Sequence, residues 1–259
     1  MQRTYITTRD LWALDRGDYR AAVDAYHSGA AHVDTPEAAL FTAEAALYLD
    51  DLEAARAFAA PHASLAWLDA DDLRGEFARR ARLILAEATY VERDYAAADD
   101  LARPVVEAAD GIRDDVARMR ALYVLARTAF RRGRQAIAAE RFDAVAGIAG
   151  EIENRFYSGL VSYFRGFACH IAGDHDGAGA HLAEAVDGLA RSEGLRRYAN
   201  TLAVYGAHLT ETGSPVEALA RLDEARRLLV GFDLAADLAH VNANTARALC
   251  HAGDYRAAV

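Results

Sequence analysis

The sequence predicts an all-α protein made of antiparallel helix pairs stacked one on the next. Three observations carry that prediction. First, Ala, Leu, Arg, Glu and Asp dominate the 259 residues, β-branched residues are few, and Gly and Pro fall at intervals, a composition that favours helix. Second, a short polar turn recurs, as DRGDYRAAVDAY from Asp15, YLDDLEAARAFA from Tyr48, VERDYAAADDLA from Val91, RRGRQAIAAERF from Arg131, AGDHDGAGAHLAEA from Ala172, ETGSPVEALARL from Glu211 and HAGDYRAAV from His251. Third, aligning these turns puts an alanine at the same point in each: Ala22, Ala55, Ala98, Ala138, Ala178, Ala218 and Ala258, at spacings of 33, 43, 40, 40, 40 and 40.

Twelve residues before the alanine stands a small residue, Ala43, Ala86, Ala126, Gly166, Gly206 or Ala246, with Asp10 the exception. Four residues after it come Tyr26, Ala59, Ala102, Phe142, Leu182 and Leu222. Small residues at fixed points let the helices of a pair approach closely, and the residue one turn on fills the gap between successive pairs.

Each pair then reads as helix A, tight turn, helix B. The first pair covers about 5–16 and 18–32. The second covers 36–49, opened by Thr35-Pro36, and 51–60, closed by Pro61. The third covers 71–92, capped within Asp69–Asp72, and 94–110, where Pro104 should kink or divide the helix. Then come 113–132 with 135–149, 153–172 with 175–192, and 195–212 with 215–230, whose first turn holds Pro215. The seventh has 233–252 and a fragment from 254. Between the second and third pairs, 61–70 is irregular, and Trp67 is expected to wedge between repeats, because a lone Trp in a polar linker would expose a large apolar surface. The chain reads as one array over 1–259, with repeats at about 3–35, 36–70, 71–112, 113–152, 153–194, 195–232 and an incomplete 233–259.

The turns Gly17-Asp18-Tyr19 and Gly253-Asp254-Tyr255, each followed by a helix-B alanine, resemble those of the tetratricopeptide repeat (TPR) family, in its long variety of about 40 residues. Most repeats here exceed the usual 34 residues, and the large aromatic near the start of helix A is mostly missing. Long repeats of this kind resemble kinesin light chains and the peptide-sensing arrays of bacterial transcription regulators. The resemblance implies a TPR-like superhelix, a right-handed α-solenoid with helix A lining a concave groove. It further implies a cytoplasmic scaffold for protein–protein interaction, or a sensor module of a larger regulatory protein.

Several other functions are disfavoured. With a formal charge of −10 and a pI near 5.4, the chain repels phosphates and anionic lipid, so neither nucleic acid nor membrane is an expected partner. No apolar run is long enough for a signal peptide or span. All 29 basic residues are arginine, which rules out a Walker-type phosphate loop lysine and a Schiff-base lysine. There is no GxSxG, HExxH, GxGxxG or CxxC, and no enzyme or cofactor is expected. Cys169 and Cys250 are expected to be buried thiols in a reducing compartment.

The stretch CHIAGDHDGAGAHLAEA, 169–185, looks at first like a metal site. A calcium loop with Asp174 and Asp176 third and fifth would place Ala172 and Ala183 at its obligatory acidic ends. His170, His175 and His181 fit neither an HxxxH face nor a paired-ligand motif, so no metal is expected from them. Gly173 instead ends helix A in a left-handed conformation, and Asp174 caps helix B.

The resemblance puts a binding groove on helix A, at Arg80, Tyr90, Arg120, Tyr123, Arg127, Tyr163, Phe167, His170, Asn200, Asn244 and Arg247. Arginine forks suit carboxylates, and aromatics suit apolar side chains. The partner expected there is an acidic protein or peptide segment with apolar anchors. Reversing Arg120 or Arg127 should weaken binding without unfolding the chain. The competing reading pairs these arginines with acids such as Glu87 and makes the aromatics packing. Because the seventh repeat stops just after Ala258, its apolar edge, with Val241 and Leu249, is expected to be covered by further chain or by end-to-end self-association.

Overall fold

A computed structural model describes residues 35–191, 195–230, 234–254 and 257. The helices expected at 5–16 and 18–32, with Ala22, and the packing alanine Ala258, lie outside the described residues. Among those described, the secondary structure is helical throughout, and no helix is long and apolar enough to cross a membrane. The chain divides between Glu153 and Asn154 into two compact units.

The first unit holds α1 (Pro36–Tyr48), α2 (Leu52–Ala59), α3 (Leu73–Val91), α4 (Tyr95–Ile112), α5 (Asp115–Arg131) and α6 (Gln135–Glu151). The second holds α7 (Arg155–Ala172), α8 (His175–Ala190), α9 (Leu195–Glu211), α10 (Pro215–Val230) and α11 (Ala235–His251). Odd-numbered helices are A helices and even-numbered ones B helices, within one or two residues of the sequence reading through most of their length. Within the first unit α1 packs on α2, α3 on α4 and α5 on α6, and α1, α3 and α5 also follow one another in contact; α7, α9 and α11 do the same in the second.

The turns explain why the helices stop where they do. A left-handed residue recurs at Asp50, Arg93, Gly133, Gly173, Gly213 and Gly253, with φ of 63°, 69°, 71°, 79°, 85° and 82°. From Arg93 onward these fall at the 40-residue interval, and four of the six are glycine, the residue that takes this conformation without steric cost. The next residue caps helix B in three of the turns, where Asp51, Asp94 and Asp174 each accept an N–H three residues on, at 2.9–3.1 Å, and Asp254 accepts the Ala257 N–H at 3.1 Å.

The small positions do the packing expected of them. A Cβ added to Gly166 would lie 2.8 Å from Leu182 Cγ and 3.2 Å from the Ala178 carbonyl oxygen. At Gly206 the same distances are 2.8 Å to Leu222 Cγ and 3.2 Å to Ala218. Ala55, Ala98, Ala178 and Ala218 are fully buried and Ala138 nearly so.

Four expectations are corrected. The wedge in 61–70 is Leu68, which is buried against Ala78, Leu83 and Val105, whereas Trp67 is 42% exposed with the Arg74 guanidinium 4.4 Å above its ring. The loop is held by Arg79, which donates to the Leu68 and Ala70 carbonyls, and sits so close to α3 that a Cβ on Gly75 would fall 1.9 Å from the Ala70 oxygen. Pro104 does not divide α4, which runs unbroken from Tyr95 to Ile112. Proline supplies no N–H to the carbonyl four residues back; that carbonyl, on Asp100, takes a bond from Arg82 Nη2 at 3.2 Å instead, and Leu101 takes one from Arg82 Nε. The thiols are not both buried: Cys250 is exposed and Cys169 half-buried. Val241, expected on an open edge, is fully buried beside Leu222 and Leu234.

Candidate binding surface

Each predicted site residue lies on an A helix, and the structure shows what each one meets. In the first unit the meetings are between successive A helices. Glu44 of α1 is buried and receives both arms of Arg80 from α3, Nε at 2.9 Å and Nη2 at 2.6 Å. Arg120 of α5 reaches the same carboxylate at 3.3 Å. Burial pushes the Glu44 carboxyl up, but Arg80 and then Arg120 more than offset it and hold it below the ordinary value of 4.5. One buried acid thus ties three A helices together.

Two helical turns onward a second rung forms. Arg127 of α5 meets Glu87 of α3 at 2.9 Å, its guanidinium 3.8 Å from the Tyr90 ring centroid and 5.0 Å from that of Tyr123. Burial draws the Arg127 pKa down, and Glu87 with the two tyrosines raises it well beyond the usual arginine value. Arg131 donates to the Tyr90 hydroxyl at 3.1 Å. Tyr123 is buried, with its ring edge toward Phe142 at 6.3 Å. Reversing Arg127 would therefore set two carboxylates against each other inside the unit, so fold and binding would not separate there as expected for this residue.

The second unit uses the same positions more openly. Tyr163 and Phe167, one turn apart on α7, are half-buried with parallel rings 6.5 Å between centroids. One turn further, His170 Nε2 lies 3.6 Å from Glu211 of α9, and the other oxygen of Glu211 is 3.2 Å from Arg247 of α11. Arg247 also donates to Asn244, whose own amide donates to the Ala203 carbonyl. Asn200 and Arg196 both reach Asp237 of α11, at 3.4 and 2.7 Å.

The histidine-rich turn brings together a set that differs from the one weighed in sequence. His181 faces Glu184 on its own helix. His170 and His175 instead meet His208 of α9, and one ring nitrogen from each of the three lies within 4.8 Å of the others. Burial lowers the His208 pKa, with His170 and His175 adding to the effect against Glu211. His208 was missed because it lies in the next repeat; subtracting the 40-residue period places it at 168, half a turn from His170 on the equivalent helix.

A scan of family models finds no match to this chain, and a search of curated proteins finds none. Solved structures do match. A Rap protein complexed with competence and sporulation factor aligns over 96% of this chain and 69% of its own, at 17% identity and TM-score 0.69. The tetratricopeptide repeat sensor-bearing signal-transduction ATPase PH0952 from Pyrococcus horikoshii aligns over 97% of this chain and 39% of its own, at 14% identity and TM-score 0.60. Kinesin light chain TPR-like repeats from Podosopora anserina align over 69% and 88%, at 17% identity and TM-score 0.51. The fold of this chain is TPR-like.

Proposed function

We propose that this chain is a scaffold, not an enzyme, that binds a protein or peptide segment along its A helices in the cytoplasm of a bacterium. The observation that carries the reading is the stripe on α7, where Tyr163, Phe167 and His170 stand at successive turns, aromatic or polar and only half-buried. Residues at such spacing share one helical face. Asn200 and Arg247 offer amide and guanidinium groups on the A helices that follow. Aromatic rings would take the segment's apolar anchors, and Arg247 a carboxylate.

The other predicted site residues take a different part in this reading. Arg80, Arg120 and Arg127, with Tyr90 and Tyr123, hold α1, α3 and α5 in register, and Asn244 positions Arg247. They shape the surface more than they touch the segment. The likeness to a Rap protein complexed with competence and sporulation factor supports a protein or peptide partner, and that alignment extends over 96% of this chain.

The test is selection from a random peptide-display library against the whole chain, followed by measurement of the winners. Enriched segments should combine acidic and aromatic or large aliphatic residues, bind more weakly in high salt, and bind at least about tenfold more weakly to Arg247→Glu and to Phe167→Ala, a loss of ~1.4 kcal/mol. Segments lacking that chemistry, or indifferent to both variants, would reject this surface.

A second reading is a regulatory module within a larger assembly, in which segment binding biases two arrangements. The likeness to a signal-transduction ATPase with a tetratricopeptide repeat sensor, aligned over 39% of that chain, favours it. A ligand-dependent change in what the chain co-purifies with would separate it from a passive scaffold.

A further inference from the structure

We propose that His170, His175 and His208 form a binding site for a divalent late first-row metal ion, zinc being the natural candidate. The proposal stands on the geometry of these three side chains and is independent of the peptide-binding reading.

The three come from different places and converge. His170 closes α7, His175 opens α8 beyond the Gly173 turn, and His208 projects from α9. Their ring centroids are 6.2–6.3 Å apart in all three pairs, and one nitrogen from each lies within 4.8 Å of the other two. A tetrahedral zinc with bonds of about 2.0–2.1 Å needs nitrogens roughly 3.3–3.4 Å apart. Closing the difference takes a small inward movement of each ring, through χ1 as well as χ2, because rotation about χ2 alone leaves the ring centroids nearly in place.

Two further features favour a cation over simple packing. His208 is 5% exposed, yet its Nδ1 has no hydrogen-bond partner, and the buried Nδ1 of His170 has none either. Buried polar atoms are nearly always partnered, so two orphans in one cluster need an explanation, and a metal supplies it. The surroundings also resemble those of metal sites. Glu211, three residues after His208, places an oxygen 3.6 Å from His170 Nε2, where a carboxylate can orient a ligating imidazole or complete the coordination. The glycine at 179 leaves room for the His208 ring, whose Nε2 lies 3.1 Å from where a Cβ would be. An all-imidazole donor set suits zinc, copper or nickel over magnesium or calcium. A bound ion would tie the turn of one repeat to the A helix of the next.

The test uses the whole chain, free of any polyhistidine tag and stripped with chelator. Cobalt(II) serves as the optical probe and zinc is followed by calorimetry at pH 7.5. One equivalent should bind, with the visible bands of a four-coordinate nitrogen site, and zinc should raise the melting temperature. His175→Ala removes an exposed ligand and should weaken affinity at least tenfold while leaving the metal-free melting temperature unchanged. His208→Gln should do the same, with its fold checked by circular dichroism, whereas His181→Ala should bind as the parent does. No stoichiometric binding, or binding that survives His175→Ala, or binding that falls equally in His181→Ala, would overturn the proposal.

Discussion

Both units tie successive A helices together with charged or polar pairs, but the two units bury those pairs to different degrees. On α1, α3 and α5 the cross-repeat rungs lie inside: the Arg80 and Glu44 side chains are 9% and 4% exposed, and Arg127 is 4%. On α7, α9 and α11 one rung, Arg196 to Asp237, is 14% and 18% exposed, whereas the rung at the helix ends lies open: His170 and Glu211 are both 34% exposed and Arg247 43%. A buried pair is costly to break because the survivor is left charged in a low-dielectric setting, whereas an exposed pair can change partners at little cost. The first set works as a clamp between repeats. The open His170–Glu211–Arg247 rung can exchange an internal partner for a ligand at little cost, and for this reason the proposed recognition is placed there.

The largest effect that could break this contrast comes from the buried acid. Glu44→Ala should cost about 3–5 kcal/mol, because Arg80 and Arg120 then lose their shared counter-ion. Glu211→Ala should cost under about 1 kcal/mol. Urea unfolding of both variants checks this, and equal losses would erase the distinction.

Next in size are the small positions of the second unit. Gly166→Leu and Gly206→Leu should each lose roughly 1–3 kcal/mol or more through overpacking, since even a methyl meets a leucine at 2.8 Å. Damage should spread to neighbouring repeats, since each buries its face on the next. Unchanged melting temperatures would contradict the register.

A smaller effect sharpens the comparison through pH. Glu44 is held below its ordinary 4.5 in the folded chain. A depressed carboxyl contributes stability that is fully present above its unfolded value and lost as pH falls through its folded value. The stability gap between the parent and Glu44→Gln should therefore be widest above pH 4.5 and shrink on further acidification. Parallel acid-stability curves would contradict the clamp. The smallest effect is expected from Arg247→Ala, which should change unfolding free energy by less than about 1 kcal/mol while weakening segment binding.

Much of the fold was legible in sequence because the repeat period constrains it. The 40-residue spacing of Ala98, Ala138, Ala178 and Ala218 located both helices of each pair, and Gly173-Asp174 located a turn and its cap. What stayed hidden depends on side chains meeting across repeats. Nothing near Pro104 announces that Arg82, 22 residues earlier, supplies the missing bond. Trp67 looked like the wedge because it is larger, yet Leu68 fits the gap among alanines and Trp67 finds a cation at the surface. The arginines stood out by charge on the right helices, but their burial was set by Glu44 and Glu87, one repeat away. His208 likewise joins His170 and His175 only once the array is folded.

The most direct measurement is amide hydrogen exchange of the whole chain with and without a peptide taken from the display selection. Protection gained on α7, α9 and α11, with α1, α3 and α5 already slow to exchange and little changed, is the expected result. Protection confined to α1, α3 and α5 would show that the clamped face is the one that binds, and would contradict the division of labour drawn from burial.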